Sequence, residues 1–145
     1  MIVDSSASLV ITSTTLTVEQ ITQHLGIEPS ESRDIDDLLG APVADVTGQP
    51  VQRRATEVHW RLDADAGGAH DSFSSLVALT ELLRDKRDNL ASLRPACTTV
   101  IVWGGFSDSD QGGFIFPATL LTELGGLGCD LHGTTYLEAS EGDAP

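Results

Sequence analysis

A short segment in the middle of the chain, residues 57–62, alternates strictly between polar and apolar side chains. Val58, Trp60 and Leu62 are its apolar members. Because successive side chains of a β-strand point to opposite faces, the pattern predicts a strand with one face in a core and the other in solvent. The chain is therefore expected to build a sheet that is covered on one side only.

Four further strands are predicted from short β-branched or apolar runs at residues 8–12, 98–103, 113–116 and 129–138. The run at 98–103 is apolar throughout, which suits the centre of a sheet. Residues 104–112 are rich in glycine and polar side chains, and they are predicted to form a wide hairpin loop that leads into 113–116.

A first helix is predicted over residues 17–25. Thr17 and Gln20 have the spacing of a capping box, in which the threonine hydroxyl and the glutamine side chain satisfy each other's backbone amides. Gly26 stands where a left-handed residue ends a helix, and Pro29 prevents continuation.

Two more helices are predicted further along. Leucines recur at helical spacing over residues 72–93, with Asp71 or Ser72 available as the cap. Pro117 fits the first position of a third helix, which is expected to stop at Gly125-Gly126. Residues 28–56 show no clear period and are predicted to be a long loop with at most one short strand or helical turn. Loops of that length are commonly functional or mobile.

In chain order these elements are βαβαββαβ. We predict an α+β fold, a two-layer sandwich of about five mostly antiparallel strands with the helices on one face. Residues 1–138 are expected to form a single domain, followed at 139–145 by an acidic, disordered tail. Trp60 and Leu76 lie on the apolar sides of strongly patterned elements and are expected to be buried.

The charge of the chain is strongly negative: 22 acidic against 8 basic residues among 145 give −14. Nucleic-acid binding draws much of its affinity from basic side chains, so nucleic acid and anionic membrane are not expected partners. A basic protein or a cation suits this charge better. The alternative is that the charge serves only to keep the protein in solution.

Cysteine usage and the first residues indicate the compartment. Cys97 and Cys129 stand far apart, and neither belongs to a CxxC motif. The N-terminus lacks the basic and apolar regions of a signal peptide, and no apolar run is long enough to cross a bilayer. We expect a cytoplasmic protein with free thiols and without a cofactor.

Acidic clusters supply the candidate partner-binding residues. Asp34, Asp36 and Asp37 lie in the predicted long loop, and Asp108 and Asp110 lie at the predicted hairpin tip. Binding residues concentrate on loops that a rigid scaffold holds in place. Asp108 and Asp110 also begin like a calcium loop, but the bidentate glutamate of such a loop is missing. We therefore expect a polar tip without a metal.

No catalytic motif stands out in the chain. His59 and His132 fall on the polar faces of two predicted strands and could meet in space, where Asp130 or Cys129 would complete an acid–base or Cys–His site. The simpler alternative is that both histidines face solvent. Most aromatic side chains are expected in the core rather than around a ligand. They are Trp60, Trp103, Phe106, Phe114, Phe116 and Tyr136.

Several of the residues that build these elements also match a known family pattern: Leu9-Val10-Ile11-Thr12, Leu16-Thr17, Leu25-Gly26-Ile27-Glu28-Pro29-Ser30, Trp60 with Leu62, the leucine-rich helix, Gly112-Gly113-Phe114 and Tyr136. On these residues the chain resembles, over roughly residues 8–137, the bacterial domain-of-unknown-function family numbered 4279. The resemblance implies an α+β sandwich and supplies no established reaction. Members often carry a basic-then-glycine stretch after the Pro-Ser, whereas Arg33 is followed here by aspartates.

Three functions remain open from the sequence. The first is a non-enzymatic binding module of the immunity or inhibitor type, whose acidic surface meets a basic protein. The second is a structural or homo-oligomeric domain, and the third is a small enzyme with a Cys–His or His–Asp site. The first is favoured, because the charge is marked and no catalytic motif is visible. The oligomeric state is left open.

Overall fold

Seven strands and four helices form within residues 1–139, the part of the chain that the computed structural model describes. A single 3₁₀ turn, Arg84–Lys86, separates the second and third helices. The strands are β1 Ile2–Ser13, β2 Glu31–Arg33, β3 Val43–Ala44, β4 Pro50–Val51, β5 Val58–Asp63, β6 Thr98–Ser107 and β7 Asp130–Tyr136. The helices are α1 Val18–Leu25, α2 Ser74–Leu83, α3 Arg87–Leu93 and α4 Ala118–Leu127.

Five of the strands form one sheet in the order β2-β5-β1-β6-β7, and β3 and β4 form a second, two-stranded sheet. Every neighbouring pair in the large sheet is antiparallel except β6 and β7, which are parallel and joined by α4. The predicted α+β class, with a five-stranded and mostly antiparallel sheet, is confirmed. The predicted element order is not: the strand expected at 113–116 is absent, and β2 is the fifth strand of the sheet. The tail predicted at 139–145 lies, from residue 140 onward, outside the described residues.

The two faces of the sheet differ as the alternation at 57–62 predicts. One face is covered by the helices and carries fully buried side chains such as Leu9, Trp60 and Ile101. Trp60 and Leu76 are both 0% exposed, which confirms their predicted burial. The opposite face, here called the open face, carries Ser8, Val10, His59, Arg61 and Val102, which alternate with the buried side chains along their strands.

The first helix forms for the reasons that its sequence indicates. Thr17 Oγ1 accepts a hydrogen bond from Gln20 N at 3.1 Å, and Thr17 N donates to Gln20 Oε1 at 2.9 Å, so the capping box is complete. Gly26 adopts φ 71° and donates its N–H to the Thr22 carbonyl at 2.8 Å. A side chain at that φ would be strained, so glycine ends the helix.

The helices α2, α3 and α4 begin or end at residues other than those predicted. Residues 72–93 form two helices rather than one, with the 3₁₀ turn falling where three consecutive charged residues bury no side chain. α4 does not stop at Gly125-Gly126 but continues to Leu127 and ends at Gly128, which has φ 69°. Leu127 is 1% exposed, and the burial of its side chain offsets the cost of about 1 kcal/mol that each helical glycine carries.

Residues 113–116 are not a strand, although their apolar run suggests one. β6 has β1 on one side and β7 on the other, so no place beside it remains for a hairpin partner. Phe114 and Phe116 instead pack on Trp103, with ring centroids 5.1 and 5.2 Å from that of the indole. The apolar character of this segment thus reflects packing against the end of the core without any strand pairing.

The start of α2 is held by Asp71, one of its two predicted caps, although the N-cap position itself falls at Phe73, two residues further on. Asp71 Oδ1 accepts from Phe73 N at 3.0 Å and Ser74 N at 2.6 Å, and Asp71 Oδ2 accepts from Ser74 Oγ at 2.5 Å. The Ser74 hydroxyl, followed by the backbone amide of Ser74, holds the pKa of the Asp71 carboxyl below its usual value. Ser72 is directed elsewhere, since its hydroxyl donates to the Ile115 carbonyl at 3.1 Å.

Removing this cap should destabilise the protein in a pH-dependent way. Asp71→Ala should lower the free energy of unfolding by about 0.5–2 kcal/mol at neutral pH. Because the folded-state pKa is depressed, the stabilisation by the carboxylate is complete above the unfolded pKa of about 3.9 and is lost as pH falls through the folded pKa. The difference in the free energy of unfolding between wild type and variant, measured by urea titration from pH 7 to pH 2.5, should therefore become smaller as the pH falls.

Asp71→Asn is the matched control for this prediction. Its side-chain oxygen can still accept the two amide hydrogen bonds, but it carries no titrating charge. The Asp71→Asn variant should keep most of the free energy of unfolding of wild type, and the contribution of the amide side chain to that free energy should not change with pH. A gap between wild type and Asp71→Ala that is the same at pH 7 and pH 2.5 would contradict the role assigned to the carboxylate.

Candidate functional site

The segment predicted to be a long loop is a projecting ribbon, here called the arm and defined as residues 34–55. Its two limbs run antiparallel and are joined near their base, where Asp36 N donates to Ala55 O and Ala55 N donates to Asp37 O, both at 2.8 Å. Further out, Leu39 N donates to Arg53 O at 2.8 Å, and β3 pairs with β4 through Val43 and Val51. The arm is thus a hairpin with its own ladder of backbone hydrogen bonds.

The turn at the tip of the arm is shaped by Asp45. Its Oδ1 accepts from Thr47 N at 2.8 Å, Thr47 Oγ1 at 2.7 Å and Gln49 N at 2.9 Å. These hydrogen bonds, that of the Thr47 hydroxyl foremost, hold the pKa of the Asp45 carboxyl below its usual value. Gly48 supplies the positive φ, 82°, that the turn requires. The tip is therefore a defined turn rather than a free loop.

The outer part of the arm buries nothing. Every residue from 40 to 51 is exposed. Val46 at the tip is 105% exposed, as much as in an extended chain, and Leu38, Val43 and Val51 are 55, 41 and 42% exposed. An isolated two-stranded hairpin is marginal in water, and exposed apolar side chains on a projecting element are typical of interaction sites. The apolar tip suits contact with another molecule.

The base of the arm carries the predicted acidic cluster. Asp34 Oδ1 accepts from Val18 N at 2.9 Å, which also supports the start of α1, and Asp37 Oδ2 accepts from Asp34 N at 2.8 Å. Asp36 has φ 70°, and its carbonyl accepts from Arg54 Nη1 at 3.0 Å. The carboxylates of Asp34 and Asp37 are therefore held in place by backbone amides. Arg53 and Arg54 on the returning limb offset part of its charge.

The second predicted acidic cluster lies elsewhere. Asp34 follows β2, whose Arg33 is level with Thr12 in the sheet, whereas Asp108 follows β6, whose Ser107 is level with Ile2. The clusters are thus three strand spacings apart, about 14 Å, and ten residues apart along the strands, about 33 Å. They occupy diagonally opposite corners of the sheet, so Asp108 and Asp110 do not extend the surface that Asp34, Asp36 and Asp37 form.

The histidines considered for catalysis do not converge. His59 on β5 is level with Thr12, and His132 on β7 is level with Val102 and Ser8. They share the open face, but β1 and β6 lie between them, so they are about 14 Å apart across the strands and about 13 Å along them. Cys129 precedes β7, and its thiol donates to the Leu127 carbonyl at 3.7 Å. The sequence hypothesis that the two histidines meet is wrong.

The open face also carries a groove of about 570 Å³ centred on Arg61. Arg61 Nη2 lies 2.7 Å from Glu31 Oε2, and Arg61 Nε lies 3.0 Å from Asp63 Oδ1 without hydrogen-bond geometry. Asp63 Oδ1 also accepts from Ser8 Oγ at 2.6 Å. The guanidinium is paired with carboxylates of the chain itself, so the groove offers no uncommitted charge to a ligand.

The aromatic side chains divide in a way that the sequence does not reveal. Trp60 and Trp103 are buried, as expected, but Phe106, Phe114 and Tyr136 are 42, 49 and 55% exposed. Phe106 and Tyr136 stack with ring centroids 5.1 Å apart at the β7 edge of the open face. A recess of about 530 Å³, lined by apolar side chains at the N-terminal end of β1, adjoins Phe114.

Metal and membrane sites receive no support from the described residues. Within residues 1–139 no group of three or more His, Cys, Asp or Glu side chains is placed to hold a metal ion. In the same part of the chain no helix has the length and apolar character needed to cross a bilayer.

Comparison with known proteins gives one match. A family model described as a domain of unknown function, DUF4279, matches residues 4–138 and so covers nearly the whole chain. No curated protein and no solved structure matches.

Proposed function

We propose that this chain, which belongs to the DUF4279 family of unknown function, is a non-enzymatic module of the immunity or inhibitor type that binds a basic protein through its arm. The observation that carries the proposal is the arm itself, which exposes apolar side chains at a fixed tip above a fixed acidic base. Contact with a partner would explain why the outer arm, residues 40–51, folds into a defined hairpin although none of its side chains enters the core.

The charge of the chain supports a basic partner. A net charge of −14 attracts a basic protein over a distance of about one Debye length or more, about 10 Å at 0.1 M salt. Asp34, Asp36 and Asp37 place three carboxylates at the base of the arm, where an approaching basic surface would meet them. Such charges increase the rate of association more than they prolong the complex.

The tip of the arm is expected to act on the rate at which the complex dissociates. Val46 is fully exposed, and the hydrogen bonds to Asp45 hold the turn that presents it. A preorganised apolar side chain that enters a pocket of the partner loses little entropy on binding and slows dissociation. Base and tip therefore have separable roles, the base in association and the tip in dissociation.

The test uses kinetics with a partner captured from a lysate on the immobilised full chain. Replacing Asp34, Asp36 and Asp37 with Asn keeps the side-chain acceptors and suits the positive φ of Asp36. This variant should melt as wild type does, associate about tenfold more slowly at low salt, and lose most of the salt dependence of association. Val46→Ser should instead leave association unchanged and accelerate dissociation about tenfold.

Matched controls lie away from the arm. Asp108→Asn with Asp110→Asn removes charge at the opposite corner of the sheet, and Val102→Ser removes an equally apolar side chain, 41% exposed, from the open face. Neither control should change the kinetics by more than about twofold, because neither site touches the arm. Association that is indifferent to salt, or a loss of binding on Val102→Ser but not on Val46→Ser, would refute the proposal.

A further inference from the structure

The two edges of the large sheet differ in how they are protected. β2 has three residues, two of them charged, and Pro29 stands just before it. Short, charged edge strands beside a proline are the ordinary means by which proteins block pairing with another chain. At this edge the arm also leads the chain away immediately, so the edge offers no length of backbone to a partner.

β7, the opposite edge, has none of these protections. It contains seven residues, all exposed, with neither proline, lysine nor arginine among them. Its register with β6 runs without a bulge from Asp130 opposite Val100 to Tyr136 opposite Phe106. Within residues 1–139 no strand pairs with its outer side. Such a long, regular and weakly charged edge is a template for another strand.

The sequence of β7 complements itself when two copies run antiparallel. With Gly133 opposite Gly133 on a two-fold axis, Leu131 faces Thr135, and His132 faces Thr134. Asp130 faces Tyr136 of the second copy, so no two carboxylates lie directly opposite each other along the strand. Like charges directly opposite each other destabilise a sheet, and this register places none opposite each other within β7.

We propose that a second copy of this chain adds its β7 to this edge, forming a two-fold dimer with a continuous ten-stranded sheet. The two-fold axis stands perpendicular to the sheet at Gly133, so the helices of both copies lie on one side and the two open faces join on the other. Three partly exposed apolar side chains flank the contact: Leu131 (36% exposed), Tyr136 (55%) and Leu137 (52%). Their apolar surface is partly removed from water in the dimer, which favours association.

The salt dependence of this dimer follows from its charge. Two chains of −14 repel each other at long range, although their contacting strands carry few charges. Salt screens that repulsion, so the dimer should strengthen as salt rises. Association with a basic partner through the arm should weaken under the same change, so the two proposals give opposite responses.

Sedimentation velocity of the full chain tests the dimer. Wild type should approach twice the chain mass of 15.3 kDa as concentration and salt rise. His132→Lys with Thr134→Lys puts ammonium groups directly opposite ammonium groups across the two-fold axis and should weaken the dimer about tenfold. This variant lowers the net repulsion between copies, so a weaker dimer could not be a general effect of charge.

His59→Lys with Thr98→Lys is the matched control. It makes the same two changes of residue type on the same open face, but on β5 and on the start of β6, away from the edge. The control should dimerise at least as strongly as wild type. A monomer at the highest salt and concentration, or equal dimerisation of both double variants, would overturn the proposal. Arm variants should not weaken the dimer, because the arm lies away from β7, so failure of one proposal does not decide the other.

Discussion

Leu76→Ala should lower the free energy of unfolding by about 2–5 kcal/mol. Leu76 is 0% exposed and lies on α2, which packs on the central strand β1. Removing its side-chain carbons forfeits their transfer from water and leaves a cavity that the surrounding helices and sheet can close only in part. The loss would appear as a lower midpoint in urea titration at an unchanged slope.

Leu82→Ala on the same helix is the matched control, because Leu82 is 48% exposed. Substitution there should cost less than about 1 kcal/mol, since a half-exposed leucine loses little burial and leaves no cavity. Equal losses for the two variants, or a loss below about 1 kcal/mol at Leu76, would contradict the orientation of α2 on the sheet.

Gly105→Ala should destabilise the protein by about 1–3 kcal/mol through overpacking. A Cβ atom at Gly105 would lie 2.4 Å from Cη2 and 2.7 Å from Cζ2 of Trp103, distances that real Cβ atoms do not adopt. The indole cannot easily move aside, because Trp103 is 2% exposed and its Nε1 donates to the Ser72 carbonyl at 2.8 Å. Glycine is thus required here by the close approach of a buried ring.

A double-mutant cycle isolates that cause. In a Trp103→Leu background the ring is gone, so adding Gly105→Ala should cost markedly less than it does in the wild type. Gly113→Ala is the external control, because a Cβ atom there meets nothing within 4 Å. Additive effects of the Trp103 and Gly105 substitutions in thermal and urea unfolding would show that the indole is not the obstacle.

Local signals predicted the elements whose causes are local. The capping box at Thr17 and Gln20 acts within one turn of α1, and the alternation around Trp60 reports which face of β5 is buried. The prediction of a strand at 113–116 is wrong because strand formation there depends on whether a distant segment already occupies the place beside β6. β7 takes the place beside β6 through the α4 crossover, and an apolar run alone carries no information about that outcome.

The hairpin structure of the arm could not be predicted from the sequence, for a different reason. A strand is recognised by the alternation of buried and exposed residues, and both faces of the arm are in solvent, so no alternation arises. The acidic base at Asp34, Asp36 and Asp37 could be read directly from the sequence as a cluster of charge. The apolar tip could not, because Val43, Val46 and Val51 resemble the residues of any half-buried strand until their exposure is known.

The central place of β1 in the sheet has a consequence for biosynthesis. Its Ser8 pairs on one side with Asp63 and on the other with Val102, far down the chain. Ribosomes add about 5–20 residues per second, so β1 waits roughly 5–20 s until the last residues of β6 have been synthesised. Until then the core around Leu9 and Ile11 is incomplete, and β1 can pair with β5 but not with β6. The sheet of this domain thus cannot be completed before β6 has been synthesised, and β1 is the segment that a chaperone would have to shield in the meantime.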